Sequence, residues 1–359
     1  MNTVTRSAAA VCAGAGEPLD VLVVGGGPVG ASAAALLKVS AKRAHHPLRV
    51  ALLEARRPAP TAPDAAIDAR VSALSRASER ILTAIGAWPL IPYSRMQPYE
   101  RMRVWHERVQ PRSADVLEFD AAYAGEPNLG YIIENRLVQT AALTAFESAG
   151  GKVIAGELSR LRVHDRHVEL ETSAGTLACR LVVGADGARS SVRESLGLAA
   201  ETSSYRQTAI VANVRSELPH ERTAWQRFLR AGTLAFLPLA DGCSSIVWSA
   251  DDAAALCELI LGAWRMREDP GAQSVLRRYE RWRKSEIEPM ALAIDGFNRY
   301  LAHGVGPLSR IAQRGLALVN RSDEAKRFFI ARALGLGGEL PQIARRPSSA
   351  PPPVSPPLP

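Results

Sequence analysis

Val21-Leu22-Val23-Val24-Gly25-Gly26-Gly27-Pro28-Val29-Gly30 decides how this chain is read. Four consecutive apolar residues mark a strand buried on both faces, as in a parallel sheet. The glycines that follow have the spacing G-x-G-x-x-G, and Ala31 to Leu37 is rich in helix formers. Arg49-Val50-Ala51-Leu52-Leu53 is a second short apolar run, so strand, glycine turn, helix and strand make a βαβ unit. Each glycine has a task. Gly25 allows the tight turn, Gly27 lets the backbone approach a pyrophosphate, and Gly30 lets helix and strand pack closely. The helix start then offers N–H groups and the positive dipole end to phosphate oxygens. Glu54 follows Gly30 by 24 residues, near the offset of about 20 at which an acidic strand end meets a ribose diol. A carboxylate there repels a 2′-phosphate, so FAD or NAD suits the site better than NADP. Arg56 and Arg57, just beyond, weaken that contrast.

A second stretch has the same texture. Leu181-Val182-Val183-Gly184-Ala185-Asp186-Gly187-Ala188-Arg189-Ser190-Ser191-Val192-Arg193 reads as a buried strand running into a glycine-flanked aspartate and a helix start. Gly187 permits close backbone approach, Asp186 offers acceptors at a strand end, and Ser190 can cap the helix. Between the two stretches, Val71 to Trp88 has helical spacing with Gly86 as its stop, and Leu137 to Ala149 is a helix closed by Gly150-Gly151. Lys152 to Val183 predicts short strands, as do 208–214, 233–239 and 245–248. His164 and His167 fall in one such strand, where an odd separation sends them to opposite faces. From Ala253 to about Leu336 the pattern is helical. Arg346 to Pro359 holds seven prolines and predicts a disordered tail.

Composition bounds the rest. Of 359 residues, 47% are hydrophobic and 22% charged, which excludes a disordered chain, a collagen and a coiled coil. The four cysteines form no CxxC pair, so neither a disulfide framework nor a metal site is expected. The net charge is +8, and residues 261–359 carry +7 of it, with 16 Lys/Arg against 9 Asp/Glu. Acids interspersed with these bases, as in Arg277-Arg278-Tyr279-Glu280-Arg281, read as a solvated helix face rather than a nucleic-acid surface. No apolar run approaches the ~18 residues of a membrane span. The N-terminal run is too short for a secretory signal, and a cytoplasmic protein is expected.

The glycine turn together with Gly-Ala-Asp-Gly-x-x-Ser-x-Val-Arg at 184–193 resembles the FAD-dependent aromatic hydroxylases. Four further stretches narrow it: Asp68-Ala69-Arg70-Val71-Ser72-Ala73-Leu74-Ser75, Tyr131-Ile132-Ile133-Glu134-Asn135-Arg136-Leu137-Val138-Gln139, Thr223-Ala224-Trp225-Gln226-Arg227-Phe228 and Leu237-Pro238-Leu239-Ala240-Asp241-Gly242. These resemble the ubiquinone-biosynthesis hydroxylases of the UbiH/VisC type. The resemblance implies an α/β fold, a Rossmann-like FAD-binding domain (19–95 and 130–200) interleaved with a substrate sheet (96–129 and 201–252). A helical region (253–345) follows, and the ends (1–18, 346–359) stay loose. It implies FAD held by Gly25, Gly27, Gly30, Glu54, Arg70, Arg136, Gln139, Asp186 and Gly187. NAD(P)H is the co-substrate, dioxygen the oxidant and a polyprenylated phenol the ring that gains oxygen. No catalytic acid or base is singled out. Trp225, Phe228, Phe236 and Trp248 are candidates for the substrate wall or, more simply, for the core. Lys326, Arg327 and Arg332 beside Phe328-Phe329-Ile330 make 323–334 a candidate for resting on anionic lipid, or for packing on the FAD domain or on a partner subunit. A place in a biosynthetic complex or a homo-oligomer is also open.

One family motif is missing. These hydroxylases carry a late Gly-Asp-Ala-Ala-His that receives the flavin's ribityl and pyrophosphate part, and this chain contains no Gly-Asp dipeptide. Asp251-Asp252-Ala253-Ala254 runs straight into what resembles the following helix, which reads as an internal deletion. The deletion predicts a weakened grip on the flavin ring. It keeps two other readings open, an inactive paralogue serving as scaffold and an NAD-dependent dehydrogenase.

Overall fold

The computed structural model describes residues 18–198 and 211–245, apart from 46, 63, 107, 114, 115, 230 and 231, and also 322–324, 327, 330, 331 and 334. The chain opens with β1 (Leu19–Val24), α1 (Pro28–Arg43) and β2 (Val50–Glu54), the expected βαβ unit. Next come β3 (Val71–Ser75), α2 (Arg76–Ala84), β4 (Gln97–Tyr99), β5 (Arg101–His106), β6 (Leu117–Asp120), β7 (Gly130–Glu134) and α3 (Asn135–Ser148). The remainder is β8 (Lys152–Ala155), β9 (Leu158–Val163), β10 (Val168–Thr172), β11 (Gly175–Gly184), α4 (Ser191–Ser195), β12 (Thr223–Leu229), β13 (Gly232–Pro238) and β14 (Ser244–Ser245). The fold is mixed α/β, as expected.

The largest sheet has the order β8-β2-β1-β11-β10-β9. β1 lies between β2 and β11 and is parallel to both. That central place is why Val21 to Val24 is apolar at every position: both faces of the strand are covered, and these residues are at most 4% exposed. Leu36, Leu37, Leu143 and Phe146 of α1 and α3 fill one face, while Leu22, Leu53, Leu170 and Cys179 meet on the other. Asp20 is buried and accepts from the Arg49 backbone N–H at 2.9 Å and its Nε at 3.3 Å, which ties the start of β1 to the entry of β2. Cys179 is fully buried, and desolvation pushes its thiol up to about 12. A thiol reagent at mildly alkaline pH should therefore modify half-buried Cys243 in the native protein and reach Cys179 only after unfolding. Peptide mass spectrometry reads this directly, and equal native rates would contradict a closed β11 interior.

A second sheet has the order β14-β13-β12-β5-β6, and a third pairs β3, β7 and β4. Val71 to Ser75 is thus strand where helix was expected. Its register with β7, from Val71 opposite Glu134 to Ser75 opposite Gly130, gives Val71 and Leu74 their burial as sheet residues. The helix begins at Arg76 because Ser75 caps it, its hydroxyl accepting from the Ser78 N–H at 3.2 Å. The apolar spacing ran unbroken through the cap, and only the Ser75–Ser78 spacing marked the change. The predicted stop holds: Gly86 takes φ +79° just past the helix.

His164 and His167 are a second correction. They flank the tight turn between β9 and β10, where the His164 N–H donates to the His167 carbonyl at 2.9 Å. The turn reverses the chain, so the rings face one another, stacked at 4.6 Å, instead of pointing apart. Glu169 lies close enough to share an ion with them, within 4.8 Å. Its carboxylate, however, already accepts from Arg162 at 3.0 Å, and both imidazoles are on the surface.

The expected strand at 208–214 is only partly described. Residues 211–213 are irregular, and Val214 forms an isolated bridge to Ser244. Trp248, the N-terminal segment, the helices of 253–320 and the proline-rich tail lie outside the described residues. Ile330 and Leu334 are each 1% exposed, buried against Ala121 and Leu129. The Leu334 carbonyl also accepts from the Ala77 N–H at 3.3 Å. At Ile330 and Leu334 the segment packs on the body of the protein, one of the expected arrangements.

Candidate dinucleotide site

The turn after β1 is built from contacts no side chain could share. Gly25 has φ +98°, and a Cβ there would lie 2.4 Å from the Ala185 carbonyl oxygen. A Cβ on Gly30 would lie 1.9 Å from the Gly25 carbonyl oxygen, so α1 rests directly on the turn. Gly27 is different: nothing lies within 4 Å of its missing Cβ. Pro28 takes the first helical position, where its lacking N–H costs nothing, and no side chain caps α1. The first turn of α1 therefore leaves its amides for an external acceptor, beside a backbone that a phosphate can approach.

Glu54 is placed by backbone. Its carboxylate accepts from the Gly26 N–H and, at 2.8 Å, from the Arg56 N–H. Gly26 occupies a variable position of the glycine pattern and was not singled out from sequence, yet a Cβ there would be 2.7 Å from Glu54 Oε2. The carboxylate thus borders the turn only because residue 26 has no side chain. Arg57 turns away to a bidentate pair with Glu147 of α3, at 2.8 and 2.5 Å, and that acceptor raises its pKa. Its charge is directed at Glu147, which leaves Arg56 as the base that offsets Glu54.

Beside the turn opens a cleft of ≈ 480 Å³, whose lining does not include Glu54. Gly27–Val29 form one wall, Ala69–Val71 another, with Asn135 and Gly187 between. Arg70 is exposed there, and among the described residues no carboxylate pairs with its guanidinium. The other expected site residues are distributed unevenly. Gly187 lines the cleft with φ +84°. The Asp186 carboxylate is engaged within its own turn, accepting from the Ser190 hydroxyl at 2.6 Å and the Val192 N–H at 3.2 Å. Arg136 is drawn to Glu134 at 3.1 Å and Asp68 at 3.6 Å and does not line the cleft. Gln139 does not line it either, but lies one helical turn beyond Asn135 on the same face of α3. Asn135, unassigned from sequence, does line it, and its side-chain oxygen accepts from the Ser72 hydroxyl at 2.5 Å.

Two of the aromatic candidates, Trp225 and Phe236, face elsewhere, and the Phe228 side chain, like Trp248, lies outside the described residues. Ala224 and Leu237 pack toward Val71 and Ile132, and strand alternation turns Trp225 and its partner Phe236 to the opposite face. There Trp225 meets Trp105 edge-on at 6.0 Å beneath Arg103, and Phe236 is 37% exposed. Neither lines the cleft beside the turn.

This geometry fits the AMP and diphosphate portion of a dinucleotide. Residues 133–255 match the family model described as FAD binding domain. The chain is 37% identical over 236 residues to 3-demethoxyubiquinol 3-hydroxylase of Escherichia coli, covering 65% of this chain and 57% of that protein. The chain is thus similar in sequence to a hydroxylase named for a ubiquinone precursor. Ubiquinone hydroxylase UbiL of Rhodospirillum rubrum is 29% identical, with 93% of this chain and 94% of that protein covered. That alignment runs to 418 positions, more than the 359 residues of this chain, so the relative carries residues inside the matched region that this chain lacks. Against the human mitochondrial ubiquinone biosynthesis monooxygenase COQ6, identity is 32% over 64% of this chain and 50% of that one. The chain thus spans little more than half the length of several of these hydroxylases. Two solved structures share its fold: p-nitrophenol 4-monooxygenase from Pseudomonas putida, TM-score 0.62 at 15% identity over 90% of this chain and 99% of that one, and OxyS anhydrotetracycline hydroxylase from Streptomyces rimosus, 0.60 at 14% over 90% and 77%. No helix among the described residues is long and apolar enough to cross a membrane.

Proposed function

We propose that this chain binds FAD and, with NAD(P)H and dioxygen, hydroxylates the ring of a polyprenylated phenol in ubiquinone biosynthesis. The observation that carries the reading is the open backbone at Gly27, at the uncapped start of α1, beside a cleft also lined by Arg70, which pairs with no carboxylate among the described residues. In this reading Glu54 accepts from the ribose hydroxyls. The turn from Gly25 to Gly30 binds the pyrophosphate, and Arg70 supplies positive charge beyond it. Gly187 lets the cofactor pass close to the backbone. Gln139 stands on the cleft side of α3, and Arg136 would have to leave Glu134 and Asp68 to touch the cofactor. Bound FAD would supply the redox chemistry, while the protein orients the ring and excludes water. The domain limits proposed are 19–95 with 130–200 for FAD and 96–129 with 201–252 for substrate. The lipophilic substrate class follows the names of the E. coli and R. rubrum relatives and would bring the protein to the inner membrane face or into a biosynthetic assembly.

The shortening against the R. rubrum relative and the missing Gly-Asp motif favour a looser hold on the flavin ring than on the adenosine half. They also support a second reading, a scaffold that binds cofactor without turnover. Purified protein is expected to take up FAD, measured by its visible spectrum and by calorimetry. It is expected to couple NADH or NADPH oxidation to hydroxylation of a short-chain prenylphenol, followed by mass spectrometry. FAD uptake with no product would select the scaffold reading, and uptake of neither FAD nor ADP would overturn both.

A further inference from the structure

Loop 65–70 brings Ala69 and Arg70 to the cleft beside the glycine turn, and every one of its residues is held through the backbone. Asn213 Nδ2 donates to the Ile67 carbonyl at 2.6 Å, and the Ser245 hydroxyl donates to the Ala69 carbonyl at 3.2 Å. The Arg70 N–H donates to Asp68 Oδ1 at 2.9 Å, and the Asn135 N–H donates to the Arg70 carbonyl at 2.9 Å. The other three attachments converge on one buried ion pair. Glu134, 1% exposed at the end of β7, accepts from the Asp68 N–H at 2.8 Å. It also accepts a two-pronged pair from Arg95, Nε at 2.8 Å and a terminal nitrogen at 2.9 Å. Arg95 in turn donates to the carbonyls of Ala65 at 2.5 Å and Ala66 at 3.3 Å. The same carboxylate holds Arg136 at 3.1 Å.

Neither Glu134 nor Arg95 lines the cleft. Their arrangement serves the loop. A planar guanidinium that grips one carboxylate with a fork and two carbonyls with its remaining donors fixes both position and orientation. We propose that Glu134, acting with Arg95, is a positioning residue that sets loop 65–70, and hence Arg70, for the flavin half of FAD. The direction follows from the site. Glu54 and the glycine turn account for the adenosine diphosphate, and the cleft that Gly27–Val29 share with Arg70 and Asn135 does not include Glu54. The inference rests on the FAD reading above and adds to it the residue that holds the flavin-side wall.

The test separates the two halves of the cofactor. Titration calorimetry of the full chain is run with FAD and with ADP, for wild type, Glu134→Gln and Arg95→Lys. Glu134→Gln keeps an acceptor for the Asp68 N–H but loses the charge that holds Arg95. The FAD dissociation constant is expected to rise about tenfold, as for one charge-assisted hydrogen bond lost, while that for ADP stays within about twofold. A residue that only stabilised the fold would lower the melting temperature without changing the ratio of the two affinities. Should Glu134→Gln fail to fold, Arg95→Lys reads the same ratio, since a lysine keeps the charge but cannot make the fork. Unchanged FAD affinity in a folded variant, or equal loss for FAD and ADP, overturns the positioning role. A wild type that binds neither ligand overturns the FAD reading itself.

Discussion

Gly30→Val is expected to melt at least roughly 8 °C below wild type or to fail to fold. The Cβ alone would lie 1.9 Å from the Gly25 carbonyl oxygen and 2.9 Å from the Ala185 Cβ. Neither neighbour is the free end of a flexible side chain. The first belongs to a turn whose φ of +98° is already confined, and the second to the stretch where β11 leaves the sheet. Relief would require α1 to lift from the sheet, and α1 carries Ala31, Ala34, Ala35 and Leu37, all wholly buried. Overpacking against backbone belongs with the substitutions that cost about 4 kcal/mol or more. In a domain of this size that lowers the melting temperature by roughly 8–16 °C, and the whole margin of a typical fold is only about 5–15 kcal/mol. Circular dichroism on soluble material, or its absence from the soluble fraction, reads the outcome. A Gly30→Val protein with wild-type melting would mean that α1 does not meet the turn as described.

What was legible in the sequence follows the same physics. A strand covered on both faces must be apolar throughout, so β1 could be read from Val21–Val24 alone, and the glycines beside it could be read because each removes a clash. Backbone-made features of this kind write themselves into residue type. The start of α2 was not legible, because Val71 and Leu74 suit a strand buried by β7 as well as a helix buried by the core, and period alone does not choose between them. The histidine pair was misread for a related reason: the spacing rule assumes the strand continues, and a two-residue turn reverses it. Side-chain partnerships were the least legible part. Arg70 and Arg136 look equivalent as sequence. The fold gives Arg136 two carboxylates within 4 Å and gives Arg70 none among the described residues. Glu134 could have been suspected only from its place between a buried strand and a helix start, where a carboxylate needs a cation.

Gly27→Val should do the reverse of Gly30→Val: fold normally and lose the ligand. Gly27 has φ −59° and ψ 175°, a backbone conformation any L-residue adopts, and no atom lies within 4 Å of where its Cβ would be. The Cβ of a valine there meets open space, so the melting temperature should stay within about 2 °C of wild type, as for a substitution costing under ~0.5 kcal/mol. The space it fills is the approach to the first turn of α1. A phosphate kept from those amides loses charge-assisted hydrogen bonds worth about 1.5–3 kcal/mol each. Loss of about 3 kcal/mol corresponds to a rise of roughly a hundredfold in the dissociation constant. ADP and FAD should weaken together, because the obstruction lies at the diphosphate that both contain, and this parallel loss distinguishes it from the flavin-selective effect expected of Glu134→Gln. Calorimetry with both nucleotides, alongside a melting curve, gives the result. Undiminished binding to a folded Gly27→Val protein would place the phosphates somewhere other than the turn after β1, and the role assigned to Glu54 beside it would fall as well.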